Sequence, residues 1–300
     1  MPKICYVNKN FNHQSRTYIE LANEIIEDYL TQGFTLTLRQ LYYQFVSRDI
    51  VPNTERSYKN LGSLINDARL AGLVDWNHLE DRTRNVRSNA HWNNPAEIVE
   101  ACAQQFRHDK WRGQRYRPEV WIEKDALIGV IAGICRELDV PYFSCRGYTS
   151  ASEMWAGGMR LLQHKKAKQT PIIFHLDDHD PSGLDMTRDI QDRLSLFTRG
   201  AVQMKRLALN MDQIRELNPP PNPAKTSDAR FLAYRNKYGD ESWELDALEP
   251  NALVTLVRDA IHEIRDEGAW NEATRAEDSD KGNLGMVAEN WDDIVARLEE

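Results

Sequence analysis

The chain has 300 residues, 41% hydrophobic and 9% aromatic, which suffices for one large domain or two modest ones with packed cores and excludes a wholly disordered protein. A mean hydropathy of −0.64, no apolar run near the roughly 18 residues of a membrane span, and four cysteines without a CxxC pair exclude a helical membrane protein, a disulfide framework and a Cys/His zinc site. The net charge of −8 is unevenly spread: residues 239–300 carry 18 acidic against five basic side chains, leaving 28 acidic against 33 basic in residues 1–238.

The opening MPKICYVNKNFN has no apolar core, so no secretory leader is expected, and a cytoplasmic protein with reduced thiols is the expectation. Residues 1–94 read as a helical domain. Ser15 is the expected cap of a helix through YIELANEIIEDYL, with Ile19, Ile25, Ile26, Tyr29 and Leu30 on one face and Gly33 as its stop. T-L-R-Q at 37–40 is a capping box opening LRQLYYQFVS, whose buried stripe is Leu38, Leu41, Tyr42 and Phe45. Asn53 or Thr54 caps a third helix, ERSYKNLGSLINDARLAG, with Arg56, Lys59 and Arg69 on its solvent face. LVDWNHLEDRTR follows as a wing, which completes a winged helix-turn-helix; a plain three-helix bundle is the alternative.

Residues 95–117 read as a basic linker. Residues 82–117 hold eight basic side chains, including Arg82, Arg84, Arg87, Arg107 and Lys110, against three acidic ones. Trp92, Phe106, Trp111 and Tyr116 are interleaved among them, a mixture that suits a phosphate backbone and stacked bases; a solvated linker is the plainer alternative.

From about residue 118 strands and helices alternate: EVWIE, PYFSC, PIIFHLD and AVQMKRLAL as strands, with apolar-striped helices between. The pattern predicts a parallel α/β sheet covered on both faces, with its chemistry at the carboxyl ends of the strands. PPPNP at 219–223 is a stiff extended spacer. Two helices close the chain: PNALVTLVRDAIHEIRDE, opened by Pro250, and NLGMVAENWDDIVARLEE, with Val287, Trp291, Ile294 and Leu298 on one packing stripe.

Two strand ends carry acids. WIEKDAL places Glu123 at one, and HLDDHDPSG places Asp177, Asp178 and Asp180 in the loop after another. Carboxylates converging on one sheet edge repel one another unless a cation neutralises them, and an oxygen-only donor set selects Mg2+ or Mn2+. A helix beginning at Ser182 offers free N–H groups to an anion, and a metal beside an anion site is what phosphoryl transfer requires. Tyr42 and Tyr43 are about 100° apart on one helix. Tyr42 shares the core stripe, so Tyr43 is expected at least partly exposed, near Arg39, whose charge favours phenolate.

WIEKDAL, RGYTSASEM and LDDHDPSGLDM in this order resemble the E-K, G-x-P-S and D-x-D-P-x-G elements of the Toprim domain in the topoisomerase VI A subunit and meiotic double-strand-break protein family. SWELDALEP resembles the segment after that domain, and LTLRQLYYQFV resembles the R-x-x-Y-Y element of the family's winged helix. The resemblance spans roughly residues 35–265. It implies an α/β chain with an N-terminal winged-helix domain, a Toprim-type parallel-sheet domain over 118–300 and a helical C-terminal extension. It implies Glu123, Asp178 and Asp180 as ligands of Mg2+ or Mn2+, Tyr43 as the tyrosine that attacks DNA, and Arg39 beside the scissile phosphate, with Asp177 a bystander. It further implies double-stranded DNA as substrate, a homodimer with each tyrosine facing its partner's metal site, and a separate ATPase subunit for strand passage. Thr149 stands where the family often has Pro, and Ser182 where an aromatic is usual. A hydrolytic Toprim nuclease without a covalent intermediate and a non-catalytic DNA-binding module are the alternatives.

Overall fold

The computed structural model describes residues 3–79 and 89–299. Three helices open it: α1 (His13–Thr31), α2 (Leu38–Ser47) and α3 (Glu55–Leu70). The cap of α1 is Asn12 rather than Ser15: the Asn12 side chain accepts the Ser15 N–H at 2.8 Å, which draws Ser15 into the first turn. The capping box of α2 is closed in both directions, Gln40 N–H to Thr37 Oγ1 at 3.3 Å and Thr37 N–H to Gln40 Oε1 at 2.9 Å. Thr54 caps α3 by accepting from Ser57 N at 3.1 Å. The apolar stripes meet in one core that includes Ile25, Tyr29, Leu41, Phe45, Leu61 and Ile65, and Ala247 from far down the chain joins it. Each buried Leu or Ile contributes about 1.5–3 kcal/mol. Arg69 is not on a solvent face: its guanidinium donates to Trp76 O at 2.7 Å and lies 5.0 Å from the Trp76 ring. Of the expected wing, residues 73–79 hold a 3-10 turn, Trp76–His78, and a single bridge pairing Leu36 with Leu79. Its remainder, and Arg82, Arg84 and Arg87, lie outside the described residues.

The stretch expected as a linker, 95–117, holds helix α4 (Pro95–Gln105), capped by Asn94. It is followed by a four-stranded sheet of β1 (Tyr116–Ile122), β2 (Tyr142–Ser144), β3 (Thr170–Leu176) and β4 (Gln203–Ala208), parallel throughout and ordered β2–β1–β3–β4. The fold is thus mixed α/β. Side chains alternate across the strands with period two. Val120, Ile122 and Phe174 face a core shared with α5 (Ile128–Glu137) and α10 (Pro250–Ile264). Trp121 and Ile173 face a second core with α6 (Ala151–Lys166) and α7 (Pro181–Thr198).

After β4 come α8 (Met211–Leu217), strand β5 (Asn222–Pro223), α9 (Phe231–Tyr238) and strand β6 (Glu241–Ser242), which pairs antiparallel with β5. The end of PPPNP therefore joins a ladder rather than acting only as a spacer. A 3-10 turn, Leu245–Ala247, packs on α2 ahead of α10. The chain closes with α11 (Glu267–Glu289) and α12 (Trp291–Glu299). The final helix expected as one piece breaks at Asn290, whose ψ of 23° leaves the helical range. The break divides the expected packing stripe, and Val287 and Leu298 are exposed. No described helix is long and apolar enough to cross a membrane.

Candidate functional site: a lysine-centred carboxylate cluster at the sheet edge

The register pairing Ile122 with Leu176 brings the carboxyl ends of β1 and β3 level. Glu123 follows directly, its N–H donating to Leu176 O at 3.0 Å, and Asp177 N–H donates to Ala208 O at 2.9 Å. The two acidic strand ends therefore share one edge, as their sequence positions imply.

The loop 177–183 is rigidly built. Gly183 is required there, because a Cβ would stand 2.2 Å from Asp178 O. Asp180 is the N-cap of α7, accepting from Gly183 N at 2.6 Å. The helix starts at Pro181, not Ser182, and the Asp180 carboxylate takes one of the N–H groups expected to be free for an anion, that of Gly183. Arg206 on β4 holds the loop from below. Its guanidinium donates to Asp177 O at 3.0 Å, Asp178 O at 2.6 Å, Gly183 O at 3.1 Å, Leu209 O at 3.3 Å and the Thr187 hydroxyl. Asp177 follows β3 directly. It is fully buried, Oδ1 accepts from Asp178 N at 2.8 Å, and burial pushes its pKa up to about 8. His175 beside it is pulled down to about 3 by burial and then by Arg206, so the imidazole is neutral. His179 is enclosed by Tyr234, Tyr238 and Trp243, with Nδ1 2.9 Å from the Tyr234 hydroxyl. Its backbone bridges that of Trp243 in both directions.

That bridge delivers Glu244 and Asp246 to the acidic edge, where Lys124 meets them. Lys124 Nζ is 3.0 Å from Asp178 Oδ1, 3.0 Å from Glu244 Oε2 and 3.1 Å from Asp246 Oδ2. Leu245 N–H also donates to Asp178 Oδ1, at 2.7 Å. Arg39 on α2 reaches the same group, pairing with Glu244 and standing 3.3 Å from Asp246 Oδ2. Burial opposes the charge on Lys124, but Asp178, Asp246 and Glu244 outweigh it and hold the ammonium well above its ordinary value. Burial likewise pushes Glu244 up, yet Lys124 and Arg39 bring it down to about 2. Glu123 is raised by burial and then by Asp178, and its buried Oε2 has no hydrogen-bond partner.

A cavity of about 510 Å3 opens between the N-terminal helices and this edge. Arg39, Tyr43 and Tyr58 line it from the helices, Asp178 and Asp180 from the loop, and Asn222, Lys225 and Glu244 from the connecting segments. Tyr43 and two of the expected metal ligands thus face one cavity within a single chain; Glu123 lies outside that lining. Tyr43 is not exposed as expected. It is 3% accessible and Tyr42 4%, because α2 is enclosed on both sides: α1 and α3 cover one, and the 245–247 turn with Asn222 covers the other. Tyr42 is held by its hydroxyl, which accepts from Thr54 N at 2.8 Å. Arg39 does not produce a phenolate: burial and then Glu244 raise Tyr43 to about 12, outweighing Asn222, Arg39 and Lys124. The Arg39 Cζ stands 5.8 Å from the Tyr43 ring centroid.

Lys124, Glu244, Asp246, Asn222 and Arg206 were not singled out from sequence. Lys124 is the residue after Glu123, and Glu244 and Asp246 sit in the SWELDALEP segment; only tertiary contact shows that they act together.

The expected metal ligands are oxygen donors suited to a hard divalent cation, and the unpartnered Glu123 Oε2 is a coordination position without another use. Among the described residues, no three His, Cys, Asp or Glu side chains stand at metal-ligand spacing. An ammonium instead neutralises the Asp178 side of the cluster. No protein-family model matches the chain, and a search of curated proteins finds no match.

Proposed function

We propose that this chain cleaves double-stranded DNA by tyrosine transesterification with Mg2+ or Mn2+, in the manner of the topoisomerase VI A subunit. In this reading α1–α3 serve as a winged helix and β1–β4 with their flanking helices as a Toprim unit. The observation that carries it is the shared cavity: Tyr43, Arg39, Asp178 and Asp180 line one space that a phosphodiester could enter.

Tyr43 Oη attacks phosphorus, the bond to the 3′ oxygen breaks, and a phosphotyrosine and a free 3′-hydroxyl result. The phenol is neutral, so its proton leaves as the new bond forms while the departing 3′ oxygen takes one up. Arg39 and the exposed Lys225 bind the phosphate oxygens, Arg39 exchanging its carboxylate partners to do so. Glu123, Asp178 and Asp180 hold the divalent cation, which when bound supplies positive charge beside the phosphate. A homodimer places two such sites on the two strands of a duplex, and strand passage calls for a separate ATPase subunit. The burial of Tyr43 favours a second reading, a hydrolytic nuclease in which the tyrosine only lines the pocket.

Supercoiled plasmid incubated with protein and Mg2+ or Mn2+, with and without protease digestion, separates these. Transesterification leaves protein attached to the DNA ends before digestion, and Tyr43→Phe abolishes both cutting and attachment while DNA affinity survives. Cutting by Tyr43→Phe with no attached protein selects the hydrolytic nuclease, and binding without cutting by the wild type leaves a non-catalytic module.

A further inference from the structure

We infer that Lys124 is a resident counter-ion standing in for a divalent cation, so that metal enters the acidic edge only by displacing it. The inference rests on the metal-dependent reading above and concerns how that site is loaded.

The geometry is that of a cation in its cage. One ammonium lies 3.0–3.1 Å from oxygens of three carboxylates contributed by two separated chain segments. Lys124 and Asp178 are largely buried, with side chains 17% and 16% accessible, so water screens their pairing little. The cluster is also short of positive charge. Lys124, Arg39 and Arg206 stand against Glu123, Asp178, Asp180, Glu244 and Asp246, and Arg206 donates to loop carbonyls and the Thr187 hydroxyl rather than to a carboxylate. Asp246, 3% accessible, gives Oδ2 to Lys124 while its Oδ1 has no hydrogen-bond partner. Glu123 Oε2 is a second buried oxygen without one. Buried acceptors left unpaired are costly, and a second positive charge relieves them.

Lys124 is bonded to both halves of the cluster: Asp178 belongs to the expected metal site, Glu244 and Asp246 do not. A divalent cation taking over Asp178 leaves the ammonium with Glu244 and Asp246, which retain it inside the protein. The exchange therefore needs no ejection of a charge into solvent. Because Glu244 also pairs with Arg39, loading of the metal redistributes the carboxylates that hold Arg39 in its resting position.

The test is calorimetric titration of Mn2+ into the full chain, as wild type and as Lys124→Met, with no DNA present. Removal of the competing ammonium is expected to tighten Mn2+ binding at least 10-fold, and added Mn2+ to raise the thermal midpoint of the variant by more than that of the wild type. Lys124→Gln keeps a donor toward Asp178 and serves the same test if Lys124→Met does not fold. Equal or weaker binding by a folded variant, with the wild type binding normally, overturns the stand-in role and leaves the metal-dependent reading intact. No Mn2+ binding by either wild type or variant overturns both.

Discussion

Two clusters of buried charge occupy opposite kinds of position in this molecule. At the sheet edge one cation, Lys124, is surrounded by Asp178, Glu244 and Asp246. Between α4 and α11 one anion, Glu277, is surrounded by cations. Its Oε1 accepts from Lys281 at 2.7 Å and lies 3.5 Å from Lys110 Nζ and 3.9 Å from Arg107 Nε, while Oε2 accepts from His108 N at 2.9 Å. Both oxygens of Glu277 are partnered, and the cluster ties the start of the α/β region to the C-terminal helices. The Lys124 cluster leaves Asp246 Oδ1 and Glu123 Oε2 unpartnered and borders a cavity. The contrast separates a charge cluster that closes on itself and holds two elements together from one left electrically incomplete. It also revises the picture of a basic stretch reserved for DNA: Arg107 and Lys110 are engaged by Glu277, and Arg117 by Asp109.

The sharpest way to break the comparison is to remove the central charge of each cluster. Without divalent cation, Lys124→Met removes the ammonium that three carboxylates share, leaving Glu244 and Asp246 to Arg39 and Asp178 to the Leu245 N–H, and is expected to cost about 4 kcal/mol in denaturant unfolding. Glu277→Ala is expected to cost less, about 3 kcal/mol, because its cations are partly exposed and recover water. Mn2+ should restore stability to the first variant and none to the second; equal restoration in both would erase the distinction.

Acid sharpens it further. Burial pushes Glu277 up, but Lys281, His108 N–H and Lys110 prevail and hold it below the ordinary 4.5. A depressed folded-state value contributes stability above the unfolded value that is lost as pH falls through the folded one. Glu277→Gln should therefore flatten the decline of the thermal midpoint below pH 4.5, and an unaltered acid limb would show that this cluster does not set it.

The smallest effect concerns the tyrosine outside the proposed chemistry. Tyr42→Phe loses the acceptor for Thr54 N–H, at a cost of about 1–2 kcal/mol by chemical denaturation, and plasmid cutting should persist at the wild-type rate. A loss of cutting as deep as that of Tyr43→Phe would mean that the two tyrosines are not distinguished by function.

Local patterns in the sequence determined the helices α1–α3 with the Thr37 and Thr54 caps, the apolar parallel strands covered on both faces, and the placing of Glu123 and the 177–180 acids at strand ends. These follow from hydrogen bonds and apolar spacing within a few residues of one another, which a linear reading can score. Tertiary structure alone decided the burial of Tyr43, since the surface covering it comes from Asn222 and the 245–247 turn, and helical phase describes only one element at a time. It likewise decided the partners of the charges. Lys124 with Glu244 and Asp246, Arg39 with Glu244, and Lys110 with Glu277 are pairs far apart in sequence. A charge in a sequence has no preferred partner until the apolar cores fix which surfaces face each other; only then do distance and burial select the pairs and leave Asp246 and Glu123 each with an oxygen unpaired.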